Sequence, residues 1–244
     1  MKDLFSEGAL QYAKFRPGYP QQLFDHLLSL VPCRESALDC GTGNGQVAVA
    51  LSNYFKEVYA TDISGEQLAF ANQKSNINYS VQPAENTLFE NGKFDLLTVA
   101  QAVHWFDFSA FYIEVKRILK PGGIIAIIGY GLLTTEGEIN NLINHFYRNV
   151  VGTFWDAERK FVDEHYQTIP FPFNEIASPE FSMKYDWTSE QLIGYLETWS
   201  AVKHYKKAVG QNPINVIADK LDSIWGNERT HPFTFPIFVR VGRK

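Results

Sequence analysis

The stretch Ala37-Leu38-Asp39-Cys40-Gly41-Thr42-Gly43-Asn44-Gly45 limits what this chain can fold into more than any other. A short apolar run enters three glycines at alternate positions, and a helical pattern, Gln46 to Asn53, follows at once. Glycine is needed where the backbone turns through positive φ or must lie close against a ligand. A buried strand leading through such a loop into a helix is how α/β units begin. Open α/β sheets bind their ligands at the carboxyl ends of the strands, where this loop would sit.

The rest of the first half keeps that rhythm. Ser36–Cys40, Glu57–Asp62, Ile77–Val81, Phe94–Ala100 and Ile124–Gly129 read as strands. Ser64 and Gln67 have capping-box spacing and start a helix through about Lys74. Phe108–Leu119 is helical, and Pro121-Gly122-Gly123 stops it. Strands separated by helices imply a doubly wound, mostly parallel α/β sheet covered on both faces.

The pattern changes after Gly131. Glu136–Phe154 reads as a helix with a further helical stretch to about Gln167, then a loop rich in Pro and Phe from Ile169 to Pro179. Phe181–Asp186 is a candidate strand. Thr188 and Gln191 form a second capping box opening a helix to about His204, and another helix spans Pro213 to Trp225. The chain closes on a strand, Phe233–Val241, in which Pro236 would remove a ladder bond. One domain follows: a core over 1–130, a helical lid insertion over 131–180, and the remaining sheet and helices over 181–244.

Composition excludes several classes. Net charge is −5 and Lys and Arg form no runs, which weighs against nucleic-acid partners. Two cysteines, Cys33 and Cys40, are too few for a disulfide framework or a metal site. The longest apolar runs, such as Ile124 to Ile128, fall far short of the ~20 residues that cross a bilayer, so no membrane partner is expected. The start lacks the basic-then-apolar pattern of a secretion signal, and a cytoplasmic monomer or homodimer is the expectation.

The glycine spacing is G-x-G-x-G, with Gln46 at the sixth position, whereas a dinucleotide loop reads G-x-G-x-x-G. That difference favours an adenosyl ligand without phosphates over NAD. Asp62 ends the second strand, 19 residues after Gly43, where a carboxylate can accept bonds from ribose hydroxyls.

The whole set, Asp39-Cys40-Gly41-Thr42-Gly43-Asn44-Gly45, Asp62-Ile63-Ser64, Pro83-Ala84-Glu85, Phe94-Asp95, Gln101 to Phe106 and Leu119-Lys120-Pro121-Gly122-Gly123, resembles class I S-adenosylmethionine-dependent methyltransferases. The branch it resembles contains the methyltransferase-11-like and trans-aconitate methyltransferase-like enzymes, which implies a seven-stranded Rossmann-like sheet. The resemblance covers about Tyr12 to Tyr130. It implies S-adenosylmethionine as methyl donor, S-adenosylhomocysteine as product, and a small-molecule acceptor, with a carboxylate or a hydroxyl as the methylated group. Asp39, Gly41, Thr42 and Gly43 would face the methionyl part, Asp62 the ribose and Ile63 the adenine. Ala84 and Glu85 would border the adenine edge, and Gln101 would line the methionyl pocket. Many relatives have an Asp where this chain has Pro83, so the adenine amino group needs another acceptor. Tyr12 and Arg16 lie in the segment that folds over the donor site in this branch.

Two residues compete for the acceptor side. His104 follows the fourth strand, and its ordinary pKa suits a general base for a phenol, amine or carbon acid. Arg16 would instead clamp a carboxylate acceptor, which needs no base. Phe154, Trp155, Phe171 and Phe173 of the insertion, with Trp199, are candidates to enclose an apolar substrate. Other readings are an NAD-dependent oxidoreductase, a catalytically silent protein that binds S-adenosylmethionine as a regulator, and an RNA methyltransferase, the last disfavoured by charge.

Overall fold

The computed structural model describes residues 17–244. Five parallel strands form the centre: β1 (Ser36–Cys40), β2 (Glu57–Asp62), β3 (Ile77–Val81), β4 (Phe94–Ala100) and β5 (Leu119–Tyr130). They stand in the order β3-β2-β1-β4-β5. The long strand β8 (His231–Arg243) runs antiparallel beside β5. Its other edge carries β7 (Phe181–Trp187) along its first half and β6 (Asn174–Ile176) along its last residues. Eight strands therefore occupy seven positions, as the sequence leads one to expect. β6 falls inside the stretch that sequence assigns to a loop. It has only three residues, too few to show periodicity.

Both faces of the centre are buried, which is why the strands read as continuous apolar runs. Leu96, Ile124, Ala126 and Ile128 face a core with α1 (Gln21–Leu30) and α2 (Gln46–Leu51). Leu97, Val99, Ile125 and Ile127 face the other core with α4 (Phe108–Ile118), whose Phe111, Val115 and Ile118 are buried.

Local chemistry trims several expected elements. The helix capped by Ser64, α3, ends at Ala69, and the chain turns back so that Asn76 can donate to the carbonyls of Ser52 and Phe55. Pro121-Gly122-Gly123 does not start β5. The strand already begins at Leu119 and carries an irregularity there, with Gly122 at φ +76° donating to the carbonyl of Lys244. The long helix expected from Glu136 is α5 (Gly137–His145), which loosens into a π turn over Phe146–Val150. A single turn, α6 (Arg159–Asp163), follows. The capping box at Thr188 and Gln191 opens α7 (Ser189–Glu197), and a break at Trp199 separates it from α8 (Ser200–Val209). The final helix, α9 (Ala218–Trp225), follows a 3-10 turn over Pro213–Val216.

Pro236 sits in β8 without breaking it. Its carbonyl accepts from Gly131 on the β5 side, just past the last β5 pair, Tyr130 with Ile237. In a strand the N–H and C=O of one residue point the same way, so the missing donor also lies on that side. The ladder to β7 loses nothing.

At the amino ends of the strands, buried Asp95 accepts from the backbone N–H of Glu35 and Ser36 at 3.1 and 3.0 Å and from Lys120 Nζ at 2.8 Å. It ties the start of β1 to β4 and β5. Asp95→Ala leaves the buried Ser36 N–H and the part-buried Glu35 N–H and Lys120 ammonium without their acceptor, so a loss of about 3 kcal/mol is expected. Thermal unfolding should show Tm lowered by roughly 6–12 °C.

Candidate active site

The loop after β1 is shaped by what surrounds it. Gly41, at φ +67°, lies against the segment after β4: a Cβ there would stand 2.6 Å from that of Ala102. Gly45, at φ +83°, caps α2, and a Cβ would strike the hydroxyl of Tyr79 on β3. Both positions are closed to other residues by sterics as well as by φ. Gly43 differs. Among the described residues space opens beside its Cα, with Gln67 Oε1 the near atom at 3.9 Å, and its N–H donates to Asp62 Oδ2 at 2.8 Å.

Asp39 fixes the loop from beneath. Its Oδ2 accepts from Thr42 Oγ1 at 2.5 Å and from Ala48 N in the first turn of α2 at 3.2 Å, and its Oδ1 from Thr98 Oγ1 of β4 at 2.8 Å. Its side chain is buried, and that burial raises its pKa to about 6 even though all three donors pull the other way. Thr98 was missed by sequence reasoning; a lone hydroxyl in the apolar run of β4 is the signal that could have found it.

Asp62 ends β2 half-buried, its Oδ1 accepting from Ser64 N at 2.9 Å. Ile63 beside it is half-buried and Ala84 is buried. Glu85 Oε1 accepts from Asp107 N at 3.1 Å, which draws the loop after β3 toward the one after β4. Gln101 lies in the left-handed region at φ +53°, held there by its N–H to the carbonyl of Ile128 and its side-chain amide to that of Tyr130, both at 2.9 Å. Strained backbone of this kind persists only where the surroundings over-determine it. Asp39, Gly41, Thr42, Gly43, Asp62, Ile63, Ala84, Glu85 and Gln101 thus gather at the carboxyl ends of β1 to β4.

Tyr12 and Arg16 lie outside the described residues. His104 sits in a 3-10 turn after β4, 8% exposed, its Nδ1 hydrogen bonded to the Tyr166 hydroxyl at 2.9 Å. Burial first, and the positive charge of Arg159 second, push its pKa down to about 3. Such a ring stays neutral at physiological pH, and its bond to Tyr166 ties the turn after β4 to the insertion.

The insertion aromatics divide. Trp155 packs on Tyr147 and Trp199 at 5.0 and 5.4 Å between ring centres, and Phe154 on Tyr205. Phe171 and Phe173 instead pack on Tyr112 and close over Gly242, beside the Ile124–Ile125 half of β5 and away from its carboxyl end. Tyr166 and Arg159, which reach this region from the insertion, carry no sequence motif. Among the described residues no helix is long and apolar enough to cross a membrane, and no group of three or more His, Cys, Asp or Glu is placed to hold a metal ion.

Residues 38–127 match the methyltransferase domain family. Over 252 aligned residues the chain is 30% identical to a Dictyostelium discoideum protein named as a candidate methyltransferase, covering 99% of this chain and 95% of that protein. A solved structure described as a candidate type II methyltransferase from Anaeromyxobacter dehalogenans superposes with a TM-score of 0.87 at 37% identity, over 94% of this chain and 98% of that one. The fold alone is shared with Haemonchus contortus phosphoethanolamine N-methyltransferase 2, solved with S-adenosylmethionine, at TM-score 0.50 and 19% identity, over 98% of this chain and 57% of that one.

The raised pKa of Asp39 has a definite sign. Its folded value, about 6, lies above the ordinary 3.8, so its contribution to stability is full below about pH 4 and lost as pH rises through 6. The loss amounts to about 3 kcal/mol, at ~1.4 kcal/mol per unit. Titration of the Asp39 carboxyl by carbon NMR should show a midpoint near pH 6. A midpoint at or below the ordinary value would mean that the three donors outweigh burial.

Proposed function

The chain belongs to the class I S-adenosylmethionine-dependent methyltransferases, and from that premise we propose that it methylates a small-molecule acceptor beside the turn after β4. The observation that carries the reading is the convergence of the glycine loop, Asp62 and Gln101 at neighbouring strand ends. The space beside Gly43 suits a ligand lying on the loop backbone, and a carboxylate at the end of β2 suits a ribose. S-adenosylmethionine, when bound, supplies a methyl group on a positively charged sulfur.

The protein's own part is positioning, which accounts for most of what an in-line displacement requires. Asp39 keeps the loop in register with β4 and α2. Asp62 would hold the ribose, Ile63 would pack on the adenine, and Ala84 and Glu85 would border it. Gln101 would line the methionyl pocket beside the Tyr130 carbonyl. A His104 that stays neutral and weakly basic favours an acceptor that reacts without losing a proton, a carboxylate before a hydroxyl. The overall charge of −5 favours a small molecule over a nucleic acid.

Calorimetry should detect binding of both S-adenosylmethionine and S-adenosylhomocysteine, with no heat from NAD. Asp62→Ala should weaken donor binding at least tenfold. Absence of heat from both adenosyl compounds would sink the reading.

A further inference from the structure

We infer that Arg159 is the residue that recognises the acceptor, by taking a carboxylate of the substrate on the two terminal nitrogens of its guanidinium. The inference rests on the small-molecule reading above and narrows it to an acidic acceptor.

The contrast with Arg117, Arg240 and Arg243, which are also partly buried, motivates it. Arg117 and Arg240 each use all three guanidinium nitrogens on carboxylates and carbonyls of the protein, and Arg243 uses both terminal ones. Arg159 spends only Nε, on the Tyr147 hydroxyl at 2.8 Å and on Asp163 at 3.2 Å. Both terminal nitrogens are left without a protein acceptor, although the side chain is only 22% exposed. Partial burial of unspent donors is costly unless something else accepts from them.

The guanidinium is also immobilised. Its carbon lies 4.6 Å from the centre of the Trp155 ring and 5.2 Å from that of Tyr147, and Tyr147 is itself bonded to Asp163 at 2.6 Å. With one edge pinned and one face on an indole, the outer edge of the fork points in a fixed direction. That planar, pre-set fork matches a carboxylate bidentately in a way that lysine cannot. Asp163 is half exposed and engages only the Nε edge, so it leaves the outer edge unneutralised.

The location is right for an acceptor. Helix α6, which begins at Arg159, packs on the turn Val103–Trp105 after β4, and its other side meets α4 through Phe161 on Phe108. Arg159 is close enough to His104 for its charge to help keep that ring neutral. Trp155, half-buried and backed by Trp199, provides an apolar wall beside the fork. The ligand class is therefore a small organic acid with an apolar body.

The test uses the full chain saturated with S-adenosylhomocysteine, which blocks turnover. Binding of phenylacetate, 3-phenylpropionate, succinate and glutarate is compared with that of their amides. At least one acid should bind tenfold or more tighter than its amide. Arg159→Met should abolish that preference, Arg159→Lys should keep part of it, and both should bind S-adenosylhomocysteine within twofold of the parent. Thermal midpoints of both variants report folding, and the lysine variant keeps the comparison alive if the methionine one unfolds. No preference for any acid, or a full preference surviving Arg159→Met, overturns the inference. Failure of the small-molecule reading looks different: labelled S-adenosylmethionine would bind yet transfer no methyl group to acids, phenols or amines, while the acid–amide comparison still decides the role of Arg159.

Discussion

A single buried carboxylate holds the donor side of this protein in shape. Asp39 accepts from the loop through Thr42, from α2 through Ala48 and from β4 through Thr98. The loop, α2 and β4 are thereby locked to the end of β1. Removing any one donor would leave a buried acceptor less satisfied in a place where water cannot substitute. The Gly41 loop then has one path open to it, between Ala102 and the end of β2, and Asp62 closes that path by accepting from Gly43. The loop, the Asp62 carboxylate and the post-β4 segment are consequences of one arrangement.

The insertion is fastened by a second set of ties. His165 and Tyr166 both lie in the left-handed region, at φ +52° and +60°, where residues with a Cβ are strained. Arg240 of β8 donates to the carbonyls of Tyr166 and Ile169, and Tyr166 is bonded to His104. The insertion is thus anchored to β8 at one point and to the turn after β4 at another. A neutral imidazole serves that tie better than a charged one, since a buried charge so close to Arg159 would be doubly unfavourable. Burial of His104 and the fixed position of Arg159 belong to the same construction.

Much of the core was legible because its signals are local. β1, β2, β3 and β4 match their expected bounds residue for residue, since each is a short run rich in apolar, β-branched or aromatic residues. Ser64, Thr188 and Gln191 cap the helices their spacing announces. Where the reading strayed, the deciding interaction was distant in sequence. Pro-Gly-Gly at 121–123 became an irregularity within β5 because the chain terminus pairs with it, and β6 exists because Arg243, Gly242 and Val241 offer it an edge. The described residues expected at the donor site, from Asp39 to Gln101, come together in space, whereas Phe171 and Phe173, grouped with Trp155 by composition alone, lie elsewhere.

The difference between the two halves of the site is physical. A ligand held on backbone N–H groups in a tight turn requires successive residues of restricted type, so it writes a motif such as Gly41-Thr42-Gly43-Asn44-Gly45. A ligand held by side chains imposes no such order. Tyr147, Trp155, Arg159, Tyr166 and Trp199 come from separate turns of the insertion and from the break before α8, and no motif links them. What unites them is visible only once the rings stack and the hydrogen bonds are traced. The methyl donor is therefore readable from a stretch of nine residues, while the acceptor is readable only from which nitrogens of an arginine the protein leaves unspent.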